Sequence, residues 1–355
     1  MYKKFFMGIA AMAALTLVSC SSDDLDSFSG DSSKNEAISF DGYLGRSAVA
    51  VNGTRGSVET VDNLKTDGFG VFGKYNAGAG QNFGSDLFNN VKVYFSSTAE
   101  PAQWTYDNTK YWPTEGYINF LAYAPHVDNK TLTGSSIDFT VDGDVTKQKD
   151  LLWANATNQT KADNSGTNKV ELTFNHALAK IGYTVKLKQT YSNATITLNK
   201  ITLAGSADEA TKAFYKTGTI DLSKTSSDGL WTNQSSNDKQ NFNWFSETQP
   251  ATTITSASTP NPDTKYLFVI PQDFSKTEEN ADKLYVIVDY TIKYTKFNEG
   301  EANEMKSTVT SPIVMNFLQG KAYMINLTIG LTPIEFEADV KTWENGTTIP
   351  EIPLN

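Results

Sequence analysis

Residues 116–125 read GYINFLAYAP, and this run gives the clearest indication of the fold class. Its side chains alternate between two faces with period two. One face carries Ile118, Phe120, Ala122 and Ala124. The other face carries Tyr117, Asn119, Leu121 and Tyr123. Successive side chains of a β-strand point to opposite faces, so this spacing predicts a strand.

The same alternation recurs along most of the chain. Further runs of this kind are Ile38/Phe40/Leu44, Val91/Val93/Phe95, Val170/Leu172/Phe174, Ile196/Leu198, Leu267/Val269, Tyr285/Ile287, Tyr323 to Ile329 and Ile334 to Val340. Asp-Gly and Asn-Gly dipeptides, which suit tight hairpins, separate many of them. Since no helical stripe exceeds one or two turns, the predicted class is all-β. Length and strand spacing favour a sandwich over a closed barrel.

The length of 355 residues predicts two domains, because single cores stop growing beyond about 250–300 residues. The polar stretch Asn155 to Lys169 is the predicted boundary. The expected organisation is a signal peptide at 1–19, a flexible acidic tether at 20–36, and two sandwich domains at 37–163 and 164–355.

Charge and composition exclude several classes of function. The net charge of -10 opposes binding to nucleic acid. One Cys and two His argue against a metal cluster, a disulfide framework and nucleophilic catalysis. Carboxylates are abundant, but no pair stands out at the spacing of a glycosidase. The sequence therefore predicts no enzyme, no cofactor and no metal site, and His176 is expected to have a structural role, at a turn over 177–180 or at the domain junction.

The N-terminus has the features of a secretory signal. Lys3 and Lys4 precede an uncharged apolar run over residues 5–18, which is shorter than the ~20 residues that a membrane-spanning helix needs. The run ends at Ser19-Cys20, which resembles a bacterial lipobox, where cleavage before the Cys is followed by acylation of its thiol with chains such as palmitate. Cys20 is thus the predicted lipidation site and outer-membrane anchor. The alternative is an ordinary signal peptide with an incidental Cys.

Several motifs, in order after this lipobox, resemble the fimbrillin family of Gram-negative gut and oral anaerobes. They are Phe69 to Phe72, Tyr111-Trp112-Pro113, residues 116–125, Asp150 to Ala154, Val170 to Ile181, Gly320 to Tyr323, Pro333 to Phe336 and Val340 to Trp343. Members of this family build type V pili. The resemblance covers residues 37–343.

The resemblance implies two tandem transthyretin-like β-sandwich domains and export as a surface lipoprotein. It also implies proteolytic removal of the N-terminal strand, marked here by Ile38, Phe40 and Leu44, and polymerisation by strand donation into a fimbrium. The implied partners are other fimbrial subunits, in a homo- or hetero-polymer, and an arginine-specific protease. A host or bacterial surface receptor would be a further partner in cell adhesion.

Two arginines are the predicted processing sites. Arg46 and Arg55 are the only arginines in the chain, and small residues typical of an exposed loop surround them. Fimbrillins are cut in this region after a basic residue. Arg55 is preferred because Asn52-Gly53 makes a turn that would present it, and Arg46 is the second choice.

The C-terminal tail supplies the first candidate donor strand, through Ile349, Ile352 and Leu354. Pro350 and Pro353 lack an N–H group, and the spacing does not keep the three apolar residues on one face. Residues 334–340 are therefore a second candidate, unless they belong to the subunit's own core.

A monomeric glycan-binding surface lipoprotein is the alternative function. Trp231 and Trp244 flank long polar loops, where exposed indole rings would stack on sugars. Asp142 and Asp144 are loop carboxylates of the kind that bind Ca²⁺, but no EF-hand pattern surrounds them. A glycan binder would keep its lipid anchor, whereas a pilus subunit would lose it.

Overall fold

The computed structural model describes residues 37–44, 60–78, 85–164, 169–234, 238–246, 252–260, 266–295, 302–330 and 335–342. Apart from one short helix, all the regular secondary structure of these residues is β-strand, so the all-β prediction is confirmed. The first half contains β1 (Phe40–Leu44), α1 (Val61–Asp67), β2 (Phe69–Asn76), β3 (Ser85–Ser96), β4 (Gln103–Thr105), β5 (Tyr117–Ala124), β6 (Ser136–Thr140), β7 (Leu152–Gln159) and β8 (Val170–His176). Among the described residues, no helix is long and apolar enough to cross a membrane.

The described part of the second half contains sixteen further strands. They are β9 (Ala179–Leu187), β10 (Ala194–Ala204), β11 (Phe214–Tyr215), β12 (Thr217–Asp221), β13 (Trp231–Thr232), β14 (Lys239–Gln240), β15 (Phe242–Ser246), β16 (Thr252–Thr253), β17 (Thr259–Pro260), β18 (Leu267–Val269), β19 (Gln272–Asp273), β20 (Tyr285–Thr295), β21 (Ala302–Pro312), β22 (Asn316–Phe317), β23 (Lys321–Ile329) and β24 (Glu335–Thr342).

The first half is built on one seven-stranded sheet with the order β1-β8-β7-β5-β2-β3-β4. Its strands pair antiparallel except for β1 and β8, which run parallel. The two ends of the sheet approach each other, because Gly42 in β1 lies against the ring of Trp104 in β4. A single apolar cluster therefore fills the space that the curved sheet encloses.

Strand β5 contains residues 117–124 of the run GYINFLAYAP. It is buried on both faces. Phe120 belongs to the cluster inside the first sheet. Leu121 and Tyr123 point the other way and join Trp153 in the larger cluster, which extends into the second half of the chain. A strand with large apolar residues at both parities must be covered on both sides, and this explains why the run is apolar almost throughout.

The second half contains two sheets that enclose this larger cluster. One has the order β15-β10-β20-β21, with β16 also on β10, and the other has the order β17-β9-β23-β24, with β18 also on β9. Strands β9 and β23 run parallel. In the described part of the chain, β21 and β24 each pair along one edge only.

Strand pairing crosses the predicted domain boundary in two places. Strand β6 pairs with β12 across five residue pairs from Thr140↔Thr217 to Ser136↔Asp221. Strand β8 follows the polar stretch Asn155 to Lys169, yet it completes the first sheet between β1 and β7. The division into tandem domains at 163/164 stays a prediction, as does their transthyretin-like character.

Tyr123 is expected to make the fold sensitive to alkaline pH. Its hydroxyl donates a hydrogen bond to Asn90 Oδ1 at 2.7 Å, and burial raises its pKa to about 12. An unfolded Tyr has a pKa of about 10, so the unfolded chain releases this proton first. The contribution of Tyr123 to stability is therefore complete below about pH 10 and is lost as the pH rises towards the folded value.

Urea unfolding at a series of pH values from 9 upwards tests this effect. We expect Tyr123→Phe to lose less stability than the wild type over the alkaline interval. Tyr111→Phe is the control, because the side chain of Tyr111 is 54% exposed. An equal alkaline loss in the wild type and Tyr123→Phe would contradict the prediction.

Candidate functional site: the groove under strand β1

Strand β1 occupies a groove along the edge of the first sheet. Its only strand partner in the described part of the chain is β8, in a parallel register that runs from Phe40↔Val170 to Leu44↔Phe174. Ile38 and Phe40 point inwards and are each 1% exposed, and Leu44 is half-buried. The three residues predicted for the displaced strand therefore lie together on the buried face of this segment. The inward side chains of this edge strand fill apolar pockets. Among the described residues, no further strand of the sheet pairs with the backbone along its outer edge.

The pocket around Phe40 is lined by aromatic rings. The Phe40 ring makes edge contacts with Phe88, Tyr106 and Phe120, with centroids 5.5, 5.6 and 5.3 Å away. Burying an aromatic side chain contributes about 1.5–3 kcal/mol, and each well-oriented aromatic pair adds about 0.5–1.5 kcal/mol. Phe40 is therefore the main apolar anchor of β1.

The next inward position, Gly42, has no pocket. A Cβ atom built there would lie 3.1 Å from Phe69 Cε1 and 3.5 Å from the indole ring of Trp104. Alanine would fit only if the Phe69 ring moved by a few tenths of an ångström, and any longer side chain would collide with the two rings. The groove is thus deep at Ile38 and Phe40 and closed at Gly42.

Backbone hydrogen bonds hold the start of this segment. Tyr106 Oη donates to the Ile38 carbonyl at 2.7 Å, and the Ile38 N–H donates to the Lys110 carbonyl at 2.8 Å. The Lys110 N–H in turn donates to Tyr106 Oη at 3.2 Å. Burial raises the pKa of Tyr106 above the usual tyrosine value, so its hydroxyl remains a donor beyond the pH at which an exposed tyrosine begins to ionise. These bonds involve only backbone atoms at Ile38, so they hold a strand of any sequence at this point.

The outward face of β1 carries one charged contact. Lys169 Nζ lies 3.5 Å from Asp41 Oδ2, and Tyr43 Oη donates to the same oxygen at 2.8 Å. Ion pairs at such partly exposed positions contribute about 0–1 kcal/mol. The affinity for β1 therefore comes from the inward side chains and the backbone, while Lys169 favours a carboxylate at this position.

The other predicted site residues lie outside the described residues. They are Cys20, Arg46, Arg55, Ile349, Ile352 and Leu354. Their roles stay predictions. Sequence reasoning missed Trp104, Tyr106 and Phe69 as groove residues, because nothing in the local sequence shows that these three rings meet β1.

The residues considered for glycan or metal binding are placed differently from what a binding surface requires. Trp104, Trp112, Trp153 and Trp244 are buried, and Trp231 is half-buried with its indole N–H donating to the Ala177 carbonyl at 2.9 Å. Within the described ranges, therefore, no indole ring lies open for stacking on a sugar.

Asp144 accepts hydrogen bonds from Thr146 beside a cavity of about 310 Å³ that Asn243 and Ser246 also line. The same described ranges contain no group of three His, Cys, Asp or Glu side chains placed to hold a metal ion.

His176 has a structural environment, although the predicted turn over 177–180 is wrong. Residue 179 already begins β9, so only two residues separate β8 from β9. The His176 ring lies at this crossover with Nδ1 2.5 Å from Asp150 Oδ2, and both side chains are fully buried. A buried pair at a junction between sheets is a structural contact.

Comparison with known proteins places these features in a family. The model of a family described as fimbrillin-like matches residues 54–343. A fimbrial protein from Bacteroides vulgatus has a similar structure, with a TM-score of 0.63, 20% identity, and coverage of 86% of this chain and 99% of that one. A candidate cell adhesion protein from Parabacteroides distasonis gives a TM-score of 0.51 at 8% identity, covering 88% of this chain and 98% of that one. No curated protein shows a significant sequence match.

Proposed function

Because the chain belongs to the fimbrillin-like family, we propose that it is a fimbrial subunit that is exported as a lipoprotein, activated by an arginine-specific protease and assembled by strand exchange. Family membership supports a cell-surface location, association with other fimbrial subunits, and a structural rather than an enzymatic role in adhesion. The observation that carries the proposal is the position of β1, an edge strand whose buried residues fill a groove of their own.

Export begins with the signal peptide at residues 1–19. Acylation of Cys20 would hold the precursor in the outer membrane, with residues 20–36 as the tether. Acyl chains contribute about 0.8 kcal/mol for each buried CH₂, and more than one chain is needed for durable anchoring. Cys20 lies before β1 in the chain. Any cut after β1 therefore separates the lipid from the rest of the subunit.

Cleavage after Arg55, or after Arg46, would release residues 1–44 with β1. The groove would then expose the pocket of Phe40 and the edge of β8. An exposed apolar groove beside unpaired backbone groups recruits another strand, because β-strand addition restores both the hydrogen bonds and the apolar contacts. Before cleavage β1 blocks this reaction, and this prevents premature assembly.

The N-terminal sequence of the protein recovered from the cell surface tests this function. A start at Gly56 or Ser47, together with filaments in electron micrographs, is the expected result. A surface protein that keeps acylated Cys20 and forms no filaments would favour the glycan-binding lipoprotein instead.

Deleting residues 347–355 is expected to weaken polymerisation without unfolding the monomer. The deleted tail carries Ile349, Ile352 and Leu354, whereas the strands of both sheets in the second half lie before it. Filament length by electron microscopy and the melting temperature of the precursor are the two measurements. Filaments of normal length would contradict a contribution of this tail.

A further inference from the structure

A largely buried lysine–carboxylate pair lies where β14 pairs with β11. Lys239 in β14 forms an ion pair with Asp282, which lies shortly before β20, and the Lys239 side chain is only 9% exposed. Tyr215 is the cross-strand neighbour of Lys239, and Lys239 Nζ lies 4.8 Å from the centroid of the Tyr215 ring. The lysine nitrogen is therefore held in contact with a carboxyl group and against an aromatic face.

Two hydrogen-bond donors hold the carboxyl group of Asp282. Gln272 Nε2 donates to Asp282 Oδ2 at 2.7 Å, and the Tyr215 hydroxyl donates to the same side chain. The buried Gln272 amide is itself fixed, because its Oε1 accepts from the Tyr215 N–H at 3.3 Å and its Nε2 also donates to the Ala213 carbonyl at 3.0 Å. Donors fixed in this way stabilise negative charge that develops on a carboxyl oxygen during a reaction.

Burial changes the chemistry that is open to this pair. Charges are costly to keep away from water, and transfer of one proton along the Lys239–Asp282 hydrogen bond gives a neutral amine beside a neutral carboxyl group. A desolvated lysine amine is a nucleophile. Groups that a fold holds in a reactive orientation behave as if they were at effective concentrations of about 10⁵–10⁸ M, which favours bond formation between them.

We propose that Lys239 and Asp282 condense to an intramolecular isopeptide bond. The lone pair of Lys239 Nζ attacks Asp282 Cγ, and Gln272 stabilises the oxyanion that develops on Oδ2. One proton then moves from the nitrogen to the hydroxyl group at Oδ1, and the Cγ–Oδ1 bond breaks as water leaves. An amide bond between Nζ and Cγ remains, so the step needs no oxidant and no other reactant. Asp282 keeps 30% exposure, which gives the water a way out.

The bond would tie together the segments that lead into β15 and β20. These two strands lie on either side of β10, and β15 ends the sheet order β15-β10-β20-β21. The joined residues are 43 positions apart in the chain. A covalent link of this kind restricts the unfolded chain, and the residues that it encloses cannot be drawn out when the subunit is under tension. The modification goes beyond the proposed function and does not depend on it.

The intact mass of the denatured full chain tests the proposal directly. The protein carries Cys20→Ser, so that no acyl group alters the mass. We expect this chain, after folding, to be lighter than its sequence by the mass of one water molecule. Lys239→Arg keeps the positive charge but lacks the amine, and Asp282→Ala lacks the carboxyl group, so both are expected to have the full mass of their sequences. A folded chain that has its full sequence mass would overturn the proposal, whatever the variants do.

Tryptic peptides locate the bond. Trypsin does not cut after an acylated lysine, so we expect one species in which residues 225–265 are joined to residues 277–283. Without the bond, residues 225–239, 240–265 and 277–283 are released separately. The ion pair of Lys74 with Asp86 is the internal control, because Asp86 is 49% exposed, and trypsin is expected to cut after Lys74. A loss of water that maps to other residues would overturn the assignment to Lys239 and Asp282.

The rate of bond formation tests the two donors. The lighter species is followed over time in protein made by cell-free synthesis, with circular dichroism to confirm folding. We expect Gln272→Ala and Tyr215→Phe to slow its appearance by about tenfold or more, as for removal of an oxyanion donor. Tyr94→Phe is the matched control, since the Tyr94 hydroxyl donates to Asp107 instead, and it is expected to react at the wild-type rate. An unchanged rate in folded Gln272→Ala and Tyr215→Phe would reject the roles given to these donors.

The proposed bond and the proposed function have separate outcomes. A wild-type chain that lacks one water molecule supports the bond, whether or not cleaved protein assembles into filaments. Filaments from Lys239→Arg would support strand exchange without the bond. Full-mass wild-type protein that still forms filaments would reject the bond and leave the proposed function unaffected.

Discussion

Replacing both Arg46 and Arg55 by alanine is expected to abolish processing and filament formation, while the precursor stays folded. Arginine-specific proteases need the guanidinium group, and these two residues are the only arginines of the chain. Without a cut, residues 38–44 keep filling the groove, held by the pocket of Phe40 and the backbone bonds of Ile38. An occupied groove has neither a pocket nor a strand edge to offer to a second copy.

Lysine substitutions are the matched control for this prediction. The double variant Arg46→Lys with Arg55→Lys keeps the positive charges but removes both arginine sites, so we expect it to resist the same protease. A lysine-specific protease used in limited amounts would then restore cleavage in this segment and, with it, assembly. The measurements are intact mass, to locate the cut, and electron microscopy. Mature-size protein and filaments from the double alanine variant would show that activation does not depend on these arginines.

Single variants identify which arginine is used. Arg55→Ala alone is expected to move the cut to Arg46 or to slow it, because Arg55 is the preferred site in the proposed activation. Either cut releases Phe40 and the rest of β1, so both products are expected to assemble. An Arg46→Ala variant should be processed like the wild type.

Asp150→Ala is expected to destabilise the subunit by about 3–5 kcal/mol, the effect of removing one partner from a buried pair. Asp150 Oδ2 lies 2.5 Å from His176 Nδ1, and both side chains are fully buried. The pair lies where β8 leads into β9, and the Ala177 N–H donates to the Leu151 carbonyl beside it at 2.8 Å. Loss of the carboxylate leaves the fully buried imidazole without this acceptor.

Thermal unfolding measures this loss, with an expected fall in melting temperature on the order of 10 °C. Asp150→Asn is the closest control, since its amide oxygen still accepts from Nδ1, and we expect it to recover much of the lost stability. Asp144→Ala removes a solvent-exposed carboxylate that accepts from Thr146 and is expected to have a small effect. A wild-type melting temperature for Asp150→Ala would show that the pair does not contribute to stability.

The buried face of β1 could be predicted from the sequence, whereas the contact between His176 and Asp150 could not. Ile38, Phe40 and Leu44 were found by their alternation, and the structure places them together on one buried face. The pair was missed because Asp150 and His176 are 26 residues apart, with no pattern that joins them. The turn proposed around His176 was wrong because a short alanine- and leucine-containing segment suits a helical turn or a strand equally well, and the neighbouring sheets decide between them.

The sequence by itself determined the all-β class and the buried face of β1, because period-two alternation is a property of neighbouring residues. The family resemblance, carried by motifs in order, was likewise available without coordinates. Only the tertiary structure decided that β1 lies parallel to β8, that Tyr106 holds Ile38, and that Trp104 and Phe69 close the groove at Gly42. These contacts join residues far apart in the chain, and their geometry depends on how the whole sheet curves, which no local pattern specifies.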